Sequence, residues 1–118
     1  MRTPRPNHPV RGSTTGEPIM ALLDLLGRRW LLRIIWELRT ASITFRDLQL
    51  RCGRISSSVL NDRLQELRAA GIVELDRGGY ALTDEGRRLL VLYPPLHAWA
   101  ERWAQRDAET ATAATTPL

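Results

Sequence analysis

Three glycine stops in the middle of the chain constrain its fold more than any other feature. Gly53, Gly71 and the Gly78-Gly79 pair divide the stretch after Ser42 into pieces only long enough for single helices or strands. Thr44 is an N-cap residue type, and Phe45, Leu48 and Cys52 mark a brief helix that ends at Gly53. After the turn CGRIS, Ser56 can cap a second helix, whose Leu60, Leu64 and Leu67 follow the i, i+4, i+7 rule until Gly71 stops it. Ile72, Val73 and Leu75 read as a strand, Asp76-Arg77-Gly78-Gly79 as a tight hairpin, and Tyr80-Ala81-Leu82 as the returning strand.

Helical patterns flank this centre. In PIMALLDLL, from Pro18 to Leu26, Ile19, Leu22, Leu23 and Leu26 are expected on one helical face, with Gly27 as the cap. In RRWLLRIIWEL, Trp30, Leu31, Ile34, Ile35 and Leu38 recur at helical spacing, which predicts a central, mostly buried helix; Ser42-Ile43 is a short extended piece. Thr83-Asp84-Glu85 opens the last helix with a capping residue and acids in its first turn. That helix carries Leu89, Leu90, Leu92, Tyr93, Leu96, Trp99 and Trp103, and Pro94-Pro95 is expected to kink or interrupt it. Two short helices joined by a turn and followed directly by a β-hairpin form the winged version of the helix-turn-helix. The expected fold class is α+β, mainly helical, with a short hairpin wing and a long C-terminal dimerisation helix.

A chain of 118 residues fits one domain. The expected division is a flexible basic arm over 1–16, the winged domain over 17–106 and a flexible tail over 107–118, because both ends are poor in large apolar groups. All 17 basic residues are arginine, against 13 acids, a net charge of +4. Arginine's planar fork suits phosphate and guanine edges, so this balance is compatible with nucleic acid without requiring it. One cysteine, Cys52, cannot form an intrachain disulfide and suits a reducing cytoplasm; at a helix end it reads as a small buried apolar residue. No apolar run approaches the roughly 20 residues needed to cross a bilayer, and the N-terminus lacks the apolar centre of a signal peptide. His8, His97 and Cys52 make a poor metal set, and there is neither a phosphate-binding glycine loop nor a nucleophile with an obvious base. No enzyme, metal or cofactor is expected.

If Leu60, Leu64 and Leu67 face the core, the helical period turns Ser57, Ser58, Asn61, Asp62 and Gln65 outward. Asn61 and Gln65 have the amide pairing suited to adenine, the serines suit bases or phosphates, and Asp62 fits only beside a cytosine amino group or an arginine. Arg63 lies nearer the buried edge and is open between a phosphate contact and an internal ion pair. Phosphate-contact candidates are Arg28 and Arg29 opening the second helix, Thr44 and Arg46 opening the third, Arg54 and Ser56 at the turn, and Arg77 at the wing tip. Leu92, Leu96, Trp99 and Trp103 are too much apolar surface for an exposed terminal helix, and in so short a chain a second copy is the expected cover. The partner surface on the first helix is expected at Ile19, Leu22 and Leu23.

Several of these segments together resemble the HxlR-type winged helix-turn-helix regulators, relatives of the MarR-like proteins. LLGRRWLLRIIWEL is similar to the family's glycine, basic residue and tryptophan followed by an aliphatic run ending Glu-Leu. TFRDLQLRCGRISSSVLNDRLQELRAAGIVEL is similar to its helix-turn-helix, and YALTDEGRRL to its return strand and last helix. The resemblance spans about Leu22 to Trp103 and implies a dimeric bacterial repressor or activator, paired through its first and last helices on a palindromic operator of double-stranded DNA. The chain departs from the pattern in having Thr44-Phe45 where many members have Arg-Phe, Arg46 where they often have asparagine, and a wing shortened to DRGG. It also lacks the cysteine that redox-sensing members keep in the arm or first helix. Two other readings stand beside the regulator. One is a winged-helix module that binds protein without specific DNA readout; the other is a regulator sensing a small-molecule effector of unknown identity between its dimer helices.

Overall fold

The computed structural model describes Pro6 and residues 17–115, so the rest of the expected basic arm lies outside the described residues. In chain order the elements are α1 (Pro18–Leu26), α2 (Leu31–Glu37), α3 (Phe45–Arg51), α4 (Ser57–Ala69), β1 (Val73–Asp76), β2 (Gly79–Leu82), α5 (Asp84–Leu90) and α6 (Tyr93–Thr115). This is the mainly helical winged helix-turn-helix that the order of stops implies.

The core is aliphatic and centred on α2. Leu31, Ile34, Ile35 and Leu38 meet Leu48 of α3, Leu60, Leu64 and Leu67 of α4, and Val73 and Leu82 of the hairpin. Burial of such a side chain contributes about 1.5–3 kcal/mol, so this cluster is what holds the helices and the hairpin together. Three N-caps fix where helices begin. Thr44, Ser56 and Thr83 accept from the backbone N–H of Asp47, Val59 and Gly86 respectively. Each satisfies a donor that the first helical turn leaves orphaned, a contribution of about 1 kcal/mol.

β1 and β2 pair antiparallel with Val73 opposite Leu82 and Asp76 opposite Gly79, which leaves Arg77 and Gly78 as the two-residue tip. Ile43 adds a third rung: its N–H donates to Tyr80 O at 2.9 Å and its carbonyl accepts from Tyr80 N–H at 2.8 Å. This contact requires glycine at 79. A Cβ there would lie 2.3 Å from Ile43 O, and the backbone has a φ of 122°. The wing is thereby tied to the chain entering α3.

Four features differ from the sequence expectation. First, α2 begins at Leu31, not at the arginines, because Trp30 takes a left-handed conformation (φ 75°) and turns the chain. Second, on α1 the residues facing the core are Ala21 and Leu25, whereas Ile19 and Leu23 point to solvent and Leu22 and Leu26 are half-buried. The run is aliphatic on nearly every side, so the period alone could not choose the inner face. Third, the interruption before α6 falls at Val91-Leu92, and Pro94-Pro95 sit in the first turn of α6, where a missing N–H costs no helical bond. Fourth, α6 runs on to Thr115 through the segment expected to be a tail over 107–118. Its alanines at 108, 111, 113 and 114 are the strongest helix formers, and an exposed helix needs no large apolar residues.

Candidate nucleic-acid interface

Capping positions the helix-turn-helix, and one side chain ties its turn. Gly53 and Arg54 both take positive φ (69° and 60°), closing α3 with Arg54 N–H on Gln49 O at 2.9 Å. Gln49 then reaches across the turn, its Nε2 donating to Ile55 O at 2.8 Å and to Ser57 Oγ at 3.1 Å. The sequence reading gave Gln49 no role; its only signal was a polar residue one turn before a glycine. With Ile55 buried beneath it, the turn holds the N-terminus of α4 in one orientation relative to α3.

The outward face of α4 is the one the helical period predicts. Ser57, Ser58, Asn61, Asp62 and Gln65 are exposed, while Leu60, Leu64 and Leu67 are buried. Thr44 and Ser56, exposed at the two helix N-termini, are engaged through their hydroxyl oxygens as caps, and each hydroxyl keeps its own proton to donate. Arg29, Arg46, Arg54 and Arg77 are exposed, and none of the four is in an ion pair among the described residues. The Arg29 guanidinium lies 5.5 Å from the Trp30 ring centre.

The wing tip is locked in place by Asp76. Its carboxylate accepts from Ser42 Oγ at 2.5 Å and from Gly78 N–H at 2.7 Å, and these hydrogen bonds hold its pKa below the usual carboxylate value. Arg77 therefore projects from a turn whose preceding residue is fixed to the α2–α3 connector.

Two of the expected DNA contacts are placed elsewhere. Arg28 does not open a helix toward solvent. Its side chain is only 9% exposed, and Nη1 lies 2.9 Å from Glu66 Oε1. Arg63 resolves to the internal ion pair, with Nη1 2.7 and 2.9 Å from the two Glu66 oxygens and Nε donating to Arg29 O at 2.9 Å. Both arginines turn inward because Glu66, the one charged residue buried among the described residues, supplies a carboxylate that must be paired. Sequence reasoning passed over Glu66. Its signal lay in the spacing of Val59, Arg63, Glu66 and Ala70, a second helical row on the flank of α4 away from Asn61 and Gln65.

Cys52 is buried and its thiol is pushed above the ordinary value by burial, partly offset by Arg33, so it does not offer a ready thiolate. The apolar residues expected at a dimer contact are exposed: Ile19 and Leu23 on α1, Leu92 before α6, and Leu96, Trp99 and Trp103 along it, with Leu22 half-buried. Trp99 and Trp103 stack with ring centres 5.7 Å apart. Among the described residues no helix is long and apolar enough to cross a membrane.

Residues 25–108 match the family model described as HxlR-like helix-turn-helix. The chain belongs to that family. Among HxlR-like relatives it is 32% identical over 88 residues to YvaP of Bacillus subtilis, an uncharacterised HTH-type transcriptional regulator, covering 69% of this chain and 82% of that one. The solved structure of quinone-bound YodB from B. subtilis superposes with a TM-score of 0.68 at 32% identity, covering 71% of this chain and 96% of YodB. A possible HxlR family transcriptional factor from Thermoplasma volcanium superposes at 0.65 and 30% identity, covering 75% and 86%. The HxlR-like match takes in α2 to α5, the wing and most of α6, so the helix-turn-helix and wing described above are the family's own framework. By family, the protein is an HTH-type transcriptional regulator.

Proposed function

We propose that this HxlR-like regulator binds double-stranded DNA as a homodimer on a two-fold-symmetric operator, and that it carries out no reaction of its own. The observation that carries the reading is the exposed face of α4, where Ser57, Ser58, Asn61, Asp62 and Gln65 stand clear of the core on a helix capped at Ser56. A recognition helix enters the major groove by its N-terminal half, and Asn61 and Gln65 are suited to the two edge groups of adenine. Thr44, Arg46, Arg54 and Ser56, from the start of α3 to the start of α4, are assigned to phosphates together with Arg29 of the α1–α2 turn, with Arg77 on the neighbouring backbone or minor groove. Arg28 and Arg63 are left out, since both are held by Glu66.

Dimerisation rests on exposed apolar surface. Trp99 and Trp103, at 55% and 62% exposure, together with Leu92 and Leu96, need cover that one protomer does not supply, and Ile19, Leu22 and Leu23 of α1 are the surface assigned to the partner. Such a dimer presents two recognition helices related by a two-fold axis, hence a palindrome with half-sites about 10 base pairs apart or a multiple of that. The likeness to quinone-bound YodB supports a small-molecule effector as an added input, and a DNA partner supports a cytoplasmic location.

Sequencing the fragments that purified protein retains from random DNA tests the reading. A two-fold-symmetric sequence is expected, bound with an affinity that falls steeply with salt. Retention of no preferred sequence, with no salt dependence, contradicts it and favours a module that binds protein through its apolar faces.

A further inference from the structure

The strongest cluster outside the DNA-facing surface is the set of charges on the opposite flank of α4. Glu66, 7% exposed, is ion-paired with Arg28 from the α1–α2 turn at 2.9 Å and hydrogen-bonded by Arg63 of its own helix at 2.7 Å. Arg28 also reaches back to Asp24 of α1, at 3.4 Å, and Arg63 donates to the carbonyl of Arg29 in the turn at 2.9 Å. The turn so held is itself unusual. Trp30 has a φ of 75°, a left-handed conformation that bulky residues rarely adopt and that persists only where the surroundings enforce it. Arg28–Glu66 and Arg63–Arg29 O thus tie the α1–α2 turn to α4, which carries Asn61 and Gln65, and Arg28–Asp24 ties that turn back to α1, which carries the exposed Ile19 and Leu23.

The apolar contacts of Leu60, Leu64 and Leu67 seat α4 but are non-directional. A buried carboxylate with guanidinium partners is directional, because displacement leaves a desolvated charge imperfectly paired. Within α4, Arg63 Nη1 meets both Glu66 oxygens, while its Nε reaches the Arg29 carbonyl in the turn, so one side chain joins the carboxylate to that turn. We propose that Asp24, Arg28, Glu66 and Arg63 form a brace that sets the angle of the recognition helix relative to α1, with Glu66 as its central positioning residue. In a dimer that uses α1, this angle sets the separation and relative tilt of the two recognition helices. Glu66 then governs whether both half-sites can be engaged at once, without touching DNA. The inference rests on the dimeric DNA-binding reading above.

The test compares a duplex carrying one half-site with the full palindrome selected from random DNA, using the whole chain and its Glu66→Gln variant. The variant is expected to remain folded and dimeric by circular dichroism and sedimentation. It should bind the single half-site within about twofold of the parent, yet the palindrome about tenfold more weakly, because the second contact loses its effective concentration. Inserting one base pair between half-sites should weaken the parent and barely affect the variant. Equal losses on half-site and palindrome overturn the proposal, since Glu66 would then only support α4 locally; no loss on either overturns it as well. If Glu66→Gln does not fold, Asp24→Asn takes its place, leaving the Arg28–Glu66 pair intact. The same pattern is then expected at about threefold on the palindrome, with the same overturning results. A parent protein that shows no preference for any palindrome overturns the DNA-binding reading itself. That failure is visible before any variant is made.

Discussion

From α1 to α5 every helix gives side chains to a shared interior, whereas no described residue of α6 does. Tyr93, its first residue, stacks on Trp36 with ring centres 4.5 Å apart, and Arg39 lies over the same Trp36 ring at 4.0 Å. From Pro94 to Thr112 every residue of α6 is exposed. The body is thus stabilised by its own burial, while α6 is anchored at one end and carries Leu96, Trp99 and Trp103 into solvent. In proteins most helical stability comes from tertiary packing of an apolar face, so packing against something else is what Leu96, Trp99 and Trp103 call for. On the dimeric reading proposed above, stability of the monomer belongs to the body and assembly to α6, and the two can be separated by mutation.

The largest effect is expected in the body. Leu64→Ala removes a side chain 1% exposed from the core face of α4. It should cost about 2–5 kcal/mol of unfolding free energy in a denaturant titration, because the cavity it leaves collapses only in part. A loss under about 1 kcal/mol there would mean that α4 is less firmly seated than its burial implies.

On α6 the balance reverses. Replacing Trp99 and Trp103 together by alanine should move unfolding of the body by no more than about 0.5 kcal/mol, as for exposed positions. The same replacement should weaken the dimer by about 2 kcal/mol or more, read by sedimentation across a concentration series, since buried tryptophans dominate interface energies. Loss of body stability with an unchanged association constant would show that the tryptophans serve the monomer, and the division drawn here would fail.

The same contrast explains what could be read in the sequence. The helix-turn-helix and wing were legible because each boundary is a local event: Thr44, Ser56 and Thr83 cap, and Gly53, Gly71 and Gly79 stop or turn the chain. The outward face of α4 followed from its three leucines. Arg28 was misplaced because an arginine on a turn is ordinarily solvated, and only the fold brings Glu66, 38 positions away, within 2.9 Å of it. The inner face of α1 was hidden by aliphatic residues on nearly every side, with small Ala21 as one of the two buried positions. The last turns of α6 were missed for the opposite reason. A helix that buries nothing leaves no hydrophobic period to detect, and its alanines signal only through propensity.

The central claim, that α4 reads bases while the wing holds the backbone, is tested most directly by the ratio of operator affinity to random-DNA affinity in two variants. Asn61→Ala should cost about 1–3 kcal/mol on the selected operator and little on random DNA, so the ratio falls. Arg77→Ala should weaken both DNAs alike and lower the salt slope by about one unit, so the ratio holds. An unchanged ratio for Asn61→Ala would contradict the account, because the exposed face of α4 would then not be the surface that distinguishes one sequence from another.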